Sequence, residues 1–208
     1  MDVAAIAAMA PVVPVLTIER VADAAPLARA LVRGGLPVLE VTLRTPAALE
    51  AISVIAREVD GAVVGVGTVL DARQLDDALR AGARFAVSPG CTRALAEAVL
   101  ARNVPFLPGV QTVSEAMEAA ALGFGVMKFF PAEAAGGVGW LKSAAAPLAG
   151  VRFCPTGGIA ADNAETYLRL SNVVCVGGSW VAPNDVVAKG DWQRIEQLAR
   201  TAAALKRR

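Results

Sequence analysis

Residues 124–137 read Phe-Gly-Val-Met-Lys-Phe-Phe-Pro-Ala-Glu-Ala-Ala-Gly-Gly. One cation, Lys128, stands inside an apolar run that Pro131 ends. A run this short, bounded by Gly and Pro, predicts a strand buried on both faces. Side chains alternate along a strand, so Phe124, Val126, Lys128 and Phe130 share one face and Met127 and Phe129 take the other. An ammonium placed there loses hydration, and desolvation disfavours its charged form. The free amine is then available as a nucleophile. A structural lysine that pairs with a carboxylate, or reaches out past a strand end, would read the same from this stretch alone.

The same unit recurs on both sides of it. Upstream, the predicted strands are Val12–Leu16, Val38–Thr42, Ala62–Val66, Phe85–Val87 and Pro105–Leu107; downstream they are Arg152–Cys154 and Val173–Val176. Helical periodicity fills the gaps. It covers Val21–Arg33, Ala47–Glu58 opened by Thr45-Pro46, Ala72–Ala81, a helix capped by Thr92 and running to Ala101, and Val113–Leu122 capped by Thr112. Further on come Gly139–Pro147, a helix from Ala161 or Asp162 to about Leu170, and Trp192–Ala204. Strand ends therefore recur every 20 to 26 residues, one β-α unit per repeat. Eight units in 208 residues predict an α/β fold, a (β/α)8 TIM barrel spanning residues 1–208 as one domain, with Ala4–Ala10 as a short N-terminal helix. Alternation of strands and helices also fits a doubly wound open sheet, since it does not by itself require closure.

Composition narrows the function. Hydrophobic residues make up 55% of the chain and net charge is +1, which fits a large core and argues against disorder. Charges are dispersed apart from Lys206, Arg207 and Arg208, so no basic face for nucleic acid is predicted. The apolar run Val3–Ile18 is too short for a membrane span and is broken by Pro11 and Pro14; Asp2 and the lack of a preceding cation argue against a secretory signal. The chain has no histidine, which removes the commonest metal ligand and general base. Cys91, Cys154 and Cys175 are widely spaced and suggest neither a zinc site nor disulfides. A cytoplasmic protein without a metal is expected. Lysine is rare: of 20 basic residues only Lys128, Lys142, Lys189 and Lys206 are lysines. Where a charge alone would do, this chain writes Arg, and Arg cannot do amine chemistry.

Active sites of such barrels lie at the carboxyl ends of the strands. Glu40 stands on Val-Leu-Glu-Val-Thr, shares a parity with Thr42 and Arg44, and is the natural proton carrier in a chain without histidine. Thr156-Gly157-Gly158 and Gly177-Gly178-Ser179 end the seventh and eighth strands, where barrels of this kind hold phosphate on backbone N–H groups and hydroxyls. Arg44 and Thr68 remain as donors for a second anionic group such as a carboxylate. A lysine nucleophile, a carboxylate base and two anion pockets together imply a phosphorylated oxo acid and Schiff-base chemistry.

Six blocks carry a resemblance: Val-Leu-Glu-Val-Thr-Leu-Arg-Thr (38–45), Gly-Val-Gly-Thr-Val (65–69), Ser-Pro-Gly (88–90), Lys-Phe-Phe-Pro-Ala-Glu (128–133), Cys-Pro-Thr-Gly-Gly-Ile (154–159) and Gly-Gly-Ser-Trp (177–180). In this order and spacing they resemble the 2-keto-3-deoxy-6-phosphogluconate (KDPG) aldolases, class I enzymes of the Entner–Doudoroff pathway, some of which also cleave 4-hydroxy-2-oxoglutarate (KHG). The resemblance implies that Lys128 forms the Schiff base and that Glu40 shuttles protons. It implies that Arg44 and Thr68 hold the pyruvyl carboxylate, with Pro89 and Phe130 shaping that pocket. Thr156, Gly157, Gly158, Gly178 and Ser179 would hold the phosphate. It further implies a homotrimer that needs no cofactor. Val66, where alanine is expected, and Ala-Ala-Gly-Gly after Glu133, where Ala-Asn-Gly-Gly is expected, depart from the pattern away from those positions. A metal-dependent aldolase or isomerase on the same barrel, or a barrel that binds a phosphorylated metabolite without turnover, are the competing classes.

Overall fold

A computed structural model describes residues 2–207; Met1 and Arg208, the latter part of the basic tail, lie outside the described residues. The chain alternates as the spacing predicts. After α1 (Val3–Ala8) come β1 (Val12–Leu16), α2 (Val21–Arg33), β2 (Val38–Thr42), α3 (Ala48–Glu58), β3 (Val63–Gly67), α4 (Ala72–Arg80), β4 (Ala86–Val87) and α5 (Arg93–Ala101). Then follow β5 (Phe106–Leu107), β6 (Gly109–Val110), α6 (Val113–Ala121), β7 (Val126–Phe129), α7 (Gly137–Ala144), β8 (Arg152–Pro155), α8 (Ala164–Leu168), β9 (Val176–Gly178), α9 (Asn184–Ala188) and α10 (Trp192–Ala203). Among the described residues no helix is long and apolar enough to cross a membrane.

All strand pairings are parallel. One curled sheet runs β5-β4-β3-β2-β1-β9, and a second runs β6-β7-β8. Pro108 separates β5 from β6, so the predicted fifth strand is one extended stretch in two pieces. Isolated bridges join Phe153 to Val173 and Thr156 to Gly177, between β8 and β9. Alternation sorts the strand residues into two apolar layers. Leu39, Val41, Val64, Val66, Met127 and Phe129 face outward into the helix layer with Leu27, Leu31, Ile52 and Ile55. Val13, Val38, Val63, Phe85, Leu107, Val126, Cys154 and Cys175 face inward, and Ile6 and Ala7 of α1 close that layer from the amino end of the strands. Burying each large side chain contributes about 1.5–3 kcal/mol.

Four local expectations differ from the structure. Phe124 precedes β7 and turns outward, stacking edge-on against Phe106 at 5.5 Å between ring centroids. Thr45 does not cap α3; its hydroxyl donates to the Ile18 carbonyl at 2.6 Å, tying the β2 end to the β1 end. The last strand starts at Val176 rather than Val173, because Val173 finds only the single bridge to Phe153. The five-residue helix α9 has no counterpart in the periodicity reading. Thr112 does cap α6. Its Oγ1 accepts the Glu115 N–H at 3.2 Å, and the Glu115 carboxylate accepts the Thr112 N–H at 2.9 Å.

Candidate active site

Lys128 projects inward from β7 and Glu40 inward from β2, as their strand parity requires. Both residues are 3% exposed. Lys128 Nζ lies 3.1 Å from Glu40 Oε1 and 5.3 Å from the centroid of the Phe130 ring. Gly67 at the end of β3 makes room for the carboxylate: a Cβ there would stand 2.3 Å from Glu40 Oε1. Burying an ion pair removes two hydration shells, a penalty of several kcal/mol per ion, so the pair is a poor device for stability alone. A proton can cross between these two groups without leaving the protein interior.

Next to the residues that flank the pair opens a cavity of about 740 Å3. Val15, which pairs in register with Glu40, lies in its wall with Phe130. On one side Arg44 reaches over from the end of β2, and its Nε donates to Thr68 Oγ1 at 3.3 Å. Among the described residues Arg44 meets no carboxylate, so its remaining N–H groups are free for an anion. Thr68 has φ 61°, in the left-handed region that costs a β-branched residue energy and is met mostly at functional sites.

On the other side the wall is backbone. Thr156, Gly157, Gly158 and Ile159 from the end of β8 face Gly177, Gly178 and Ser179 from the end of β9. Gly157 and Gly158 have φ of 97° and 77°, a turn only glycine enters freely. Among the described residues the N–H groups of Gly158, Ile159 and Ser179 make no hydrogen bond within the chain, while that of Gly157 is directed at Gly177 across the Thr156–Gly177 bridge. Unspent donors on a cavity wall form an anion site.

The structure thus gathers Arg44, Phe130, Thr156, Gly157, Gly158, Gly178 and Ser179 around one cavity, with Thr68 held by Arg44; Lys128 and Glu40 are outside its lining and adjoin it through Phe130 and Val15. Pro89, half-buried after β4, packs its carbonyl group against Gly109 and is not in the cavity wall. Four lining residues escaped the sequence reading: Thr17, Trp180, Asn184 and Asp185. Thr17 follows β1, and the strand-end rule applied there would have found it. Its hydroxyl lies 3.4 Å from that of Thr42, which itself donates to the Leu16 carbonyl at 2.9 Å. Trp180 lies over Gly178, where a Cβ would come within 1.7 Å of its ring. Among the described residues no group of three His, Cys, Asp or Glu side chains converges as a metal site.

A family model for KDPG and KHG aldolases matches residues 3–198. The chain belongs to this family. It is 52% identical over 192 residues to the KHG/KDPG aldolase of Escherichia coli (strain K12), covering 92% of this chain and 90% of that protein. The KDPG aldolase of Zymomonas mobilis ZM4, crystallised with 3-phosphoglycerate, has the same fold at TM-score 0.95 and 52% identity, over 99% of this chain and 97% of that one. The KDPG aldolase of Legionella pneumophila, crystallised with pyruvate captured as a covalent carbinolamine intermediate, aligns at TM-score 0.96 and 45% identity over 98% and 99%.

Proposed function

We propose that this chain is a class I aldolase, a carbon–carbon lyase, that cleaves 2-dehydro-3-deoxy-6-phosphogluconate to pyruvate and glyceraldehyde 3-phosphate. The observation that carries this reading is the 3.1 Å contact between the buried Lys128 amine and the Glu40 carboxylate, beside a cavity lined by Arg44 and by the glycine-rich ends of β8 and β9. The ammonium proton passes to Glu40, and the free amine attacks the substrate's C2 carbonyl. Glu40 protonates the departing hydroxyl, water leaves and the iminium forms. Glu40 then takes the C4 hydroxyl proton. The C3–C4 bond breaks, its electron pair moves into the iminium, and glyceraldehyde 3-phosphate departs. The enamine left on Lys128 is protonated at C3 and hydrolysed to pyruvate.

Arg44 and Thr68 hold the pyruvyl carboxylate, with Phe130 shaping that end. The Thr156–Gly158 turn and the Gly178–Ser179 pair hold the phosphate. The E. coli relative is named for both substrates, and the same pockets extend the reading to 4-hydroxy-2-oxoglutarate, cleaved to pyruvate and glyoxylate. The iminium is the electron sink, so the scheme uses no metal or organic cofactor.

We infer, too, that the two sheets close into a (β/α)8 barrel forming one domain. The Phe153–Val173 and Thr156–Gly177 bridges support this, as does the 2.8 Å hydrogen bond from Lys128 N–H to the Pro108 carbonyl. The family resemblance supports a homotrimer, and three unpaired cysteines suit a reducing cytoplasm. Light scattering that gave a monomer mass at micromolar concentration would remove the trimer.

The test is pyruvate release, followed by coupling to NADH oxidation, on the phosphorylated and unphosphorylated 2-oxo-3-deoxy acids and on 4-hydroxy-2-oxoglutarate. Release from the phosphorylated acid, unchanged after exhaustive EDTA, is expected. Binding of that acid without release would leave a binding protein, and loss with EDTA would make the lyase metal-dependent.

A further inference from the structure

The turn after β8 is held from behind by the loop after β7. The Ala132 N–H donates to the Thr156 carbonyl at 2.8 Å, and the Glu133 N–H donates to the Gly157 carbonyl at 3.1 Å. The next carbonyl, that of Gly158, accepts from Asn163 Nδ2 at 2.9 Å, while Asn163 Oδ1 accepts the Ala160 N–H at 2.9 Å. Across a trans peptide the C=O and N–H point opposite ways. Three consecutive carbonyls turned back into the protein therefore turn the N–H groups of Gly157, Gly158 and Ile159 the other way. Those three residues line the cavity; the Gly157 N–H is directed at Gly177 across the Thr156–Gly177 bridge, and those of Gly158 and Ile159 have no partner within the described chain.

The Glu133 side chain fixes this arrangement. It folds over Gly158, where a Cβ would lie 2.5 Å from Glu133 Cγ. Its carboxylate accepts the hydroxyl of Tyr167 on α8. Tyr167 is 1% exposed, and burial together with the Glu133 carboxylate pushes its phenol above the ordinary range, which keeps it a donor. Gly137 sits close against the same hydroxyl: a Cβ there would be 2.8 Å from it. The loop that begins at Lys128 and Phe130 and the turn that begins at Thr156 are thus joined through one side-chain contact as well as two backbone bonds.

We propose that Glu133 and Tyr167 are positioning residues for the phosphate of the substrate: their contact locks the 132–133 loop behind the 156–158 turn, so that the N–H donors of Gly158 and Ile159 face the cavity before the ligand arrives. This rests on the reading of the cavity given above. Neither side chain touches the reacting atoms. Their effect falls on binding of the anionic tail and leaves the imine chemistry alone.

The test uses the full chain with Tyr167→Phe, Glu133→Ala and the conservative Glu133→Gln, which keeps an acceptor for the phenol. Three quantities are read: kcat and KM on the phosphorylated acid, inhibition by inorganic phosphate, and solvent exchange at the pyruvate methyl, which needs only the lysine end. Tyr167→Phe is expected to raise KM about 5- to 10-fold and weaken phosphate inhibition by the same factor, with kcat and methyl exchange within about twofold. Glu133→Gln is expected to stay within about twofold of wild type throughout. Should Glu133→Ala fail to fold, Tyr167→Phe carries the test. If Tyr167→Phe slows methyl exchange as much as it weakens phosphate binding, or alters neither, the positioning role is overturned alone. If inorganic phosphate does not inhibit even the wild type, the phosphate reading of the cavity falls and this inference with it.

Discussion

Two kinds of ion pair coexist in this molecule. On helix α5 Arg93 Nε meets Glu97 Oε1 at 2.9 Å, with side chains 81% and 59% exposed. Between β7 and β2 Lys128 Nζ meets Glu40 Oε1 at 3.1 Å, with side chains 4% and 3% exposed. The geometry is nearly the same and the physics is not. The outer pair keeps its water, is screened by salt and contributes at most about 0.5 kcal/mol. The inner pair has lost its water, and an apolar pair of similar volume would be neutral or more stable by about 1–4 kcal/mol. The outer pairs are written with Arg, which stays charged, except Lys189–Asp185; the inner one is written with Lys, whose proton can leave. A fold that retains a costly buried pair built from a lysine, in a chain that mostly writes its cations as Arg, is organised for chemistry at that point.

The sharpest way to break this contrast is to keep the inner charge and remove the amine. Lys128→Arg leaves a cation opposite Glu40 yet is expected to lower kcat by about 100,000-fold, as Lys128→Ala should, because the nucleophile is gone in both. Steady-state turnover retained above one-hundredth of wild type in Lys128→Arg would make the pair structural. Next in size is the stability difference. Glu40→Ala strands a buried ammonium and is expected to cost about 3–5 kcal/mol in urea unfolding. A narrower probe is Gly67→Ala, whose new methyl would lie 2.3 Å from Glu40 Oε1. Displacing that carboxylate should lower kcat/KM about 100-fold, since misplacement by about 1 Å costs that much. Smallest is Arg93→Ala on the outer pair, expected within about 0.5 kcal/mol of wild type and without effect on kcat. Equal losses for Glu40→Ala and Arg93→Ala would erase the distinction between the two regions.

The sequence made most of the inner region legible because few arrangements satisfy it. A lysine in an apolar strand, a glutamate in another and Gly-rich strand ends repeat on a fixed spacing, and strand parity places the charges on one face. The boundaries of β1, α2 and β2 match the pattern read from sequence, even with Pro14 inside β1 and Pro26 inside α2. What was not legible depends on distant partners. Thr45 precedes a proline and looks like a cap, but a carbonyl from β1 competes for its hydroxyl. Val173 and Val174 have strand composition, yet the neighbours that make a ladder stand opposite Val176–Gly178. Gly67 has no local signature as a required glycine; it is required by a carboxylate 27 positions earlier in the chain. The contact between Glu133 and Tyr167 spans 34 positions and has no local signature at all.

The most direct measurement is covalent capture. Incubating the protein with pyruvate and sodium borohydride, then mapping the modified peptide by mass spectrometry, should place one reduced pyruvate on Lys128 and abolish activity in proportion to labelling. Lys142, Lys189 and Lys206, which lie in exposed or terminal sequence, should remain unlabelled. Absence of an adduct on Lys128, or labelling spread evenly over the other three lysines, would contradict an amine made reactive by its place between β7 and Glu40.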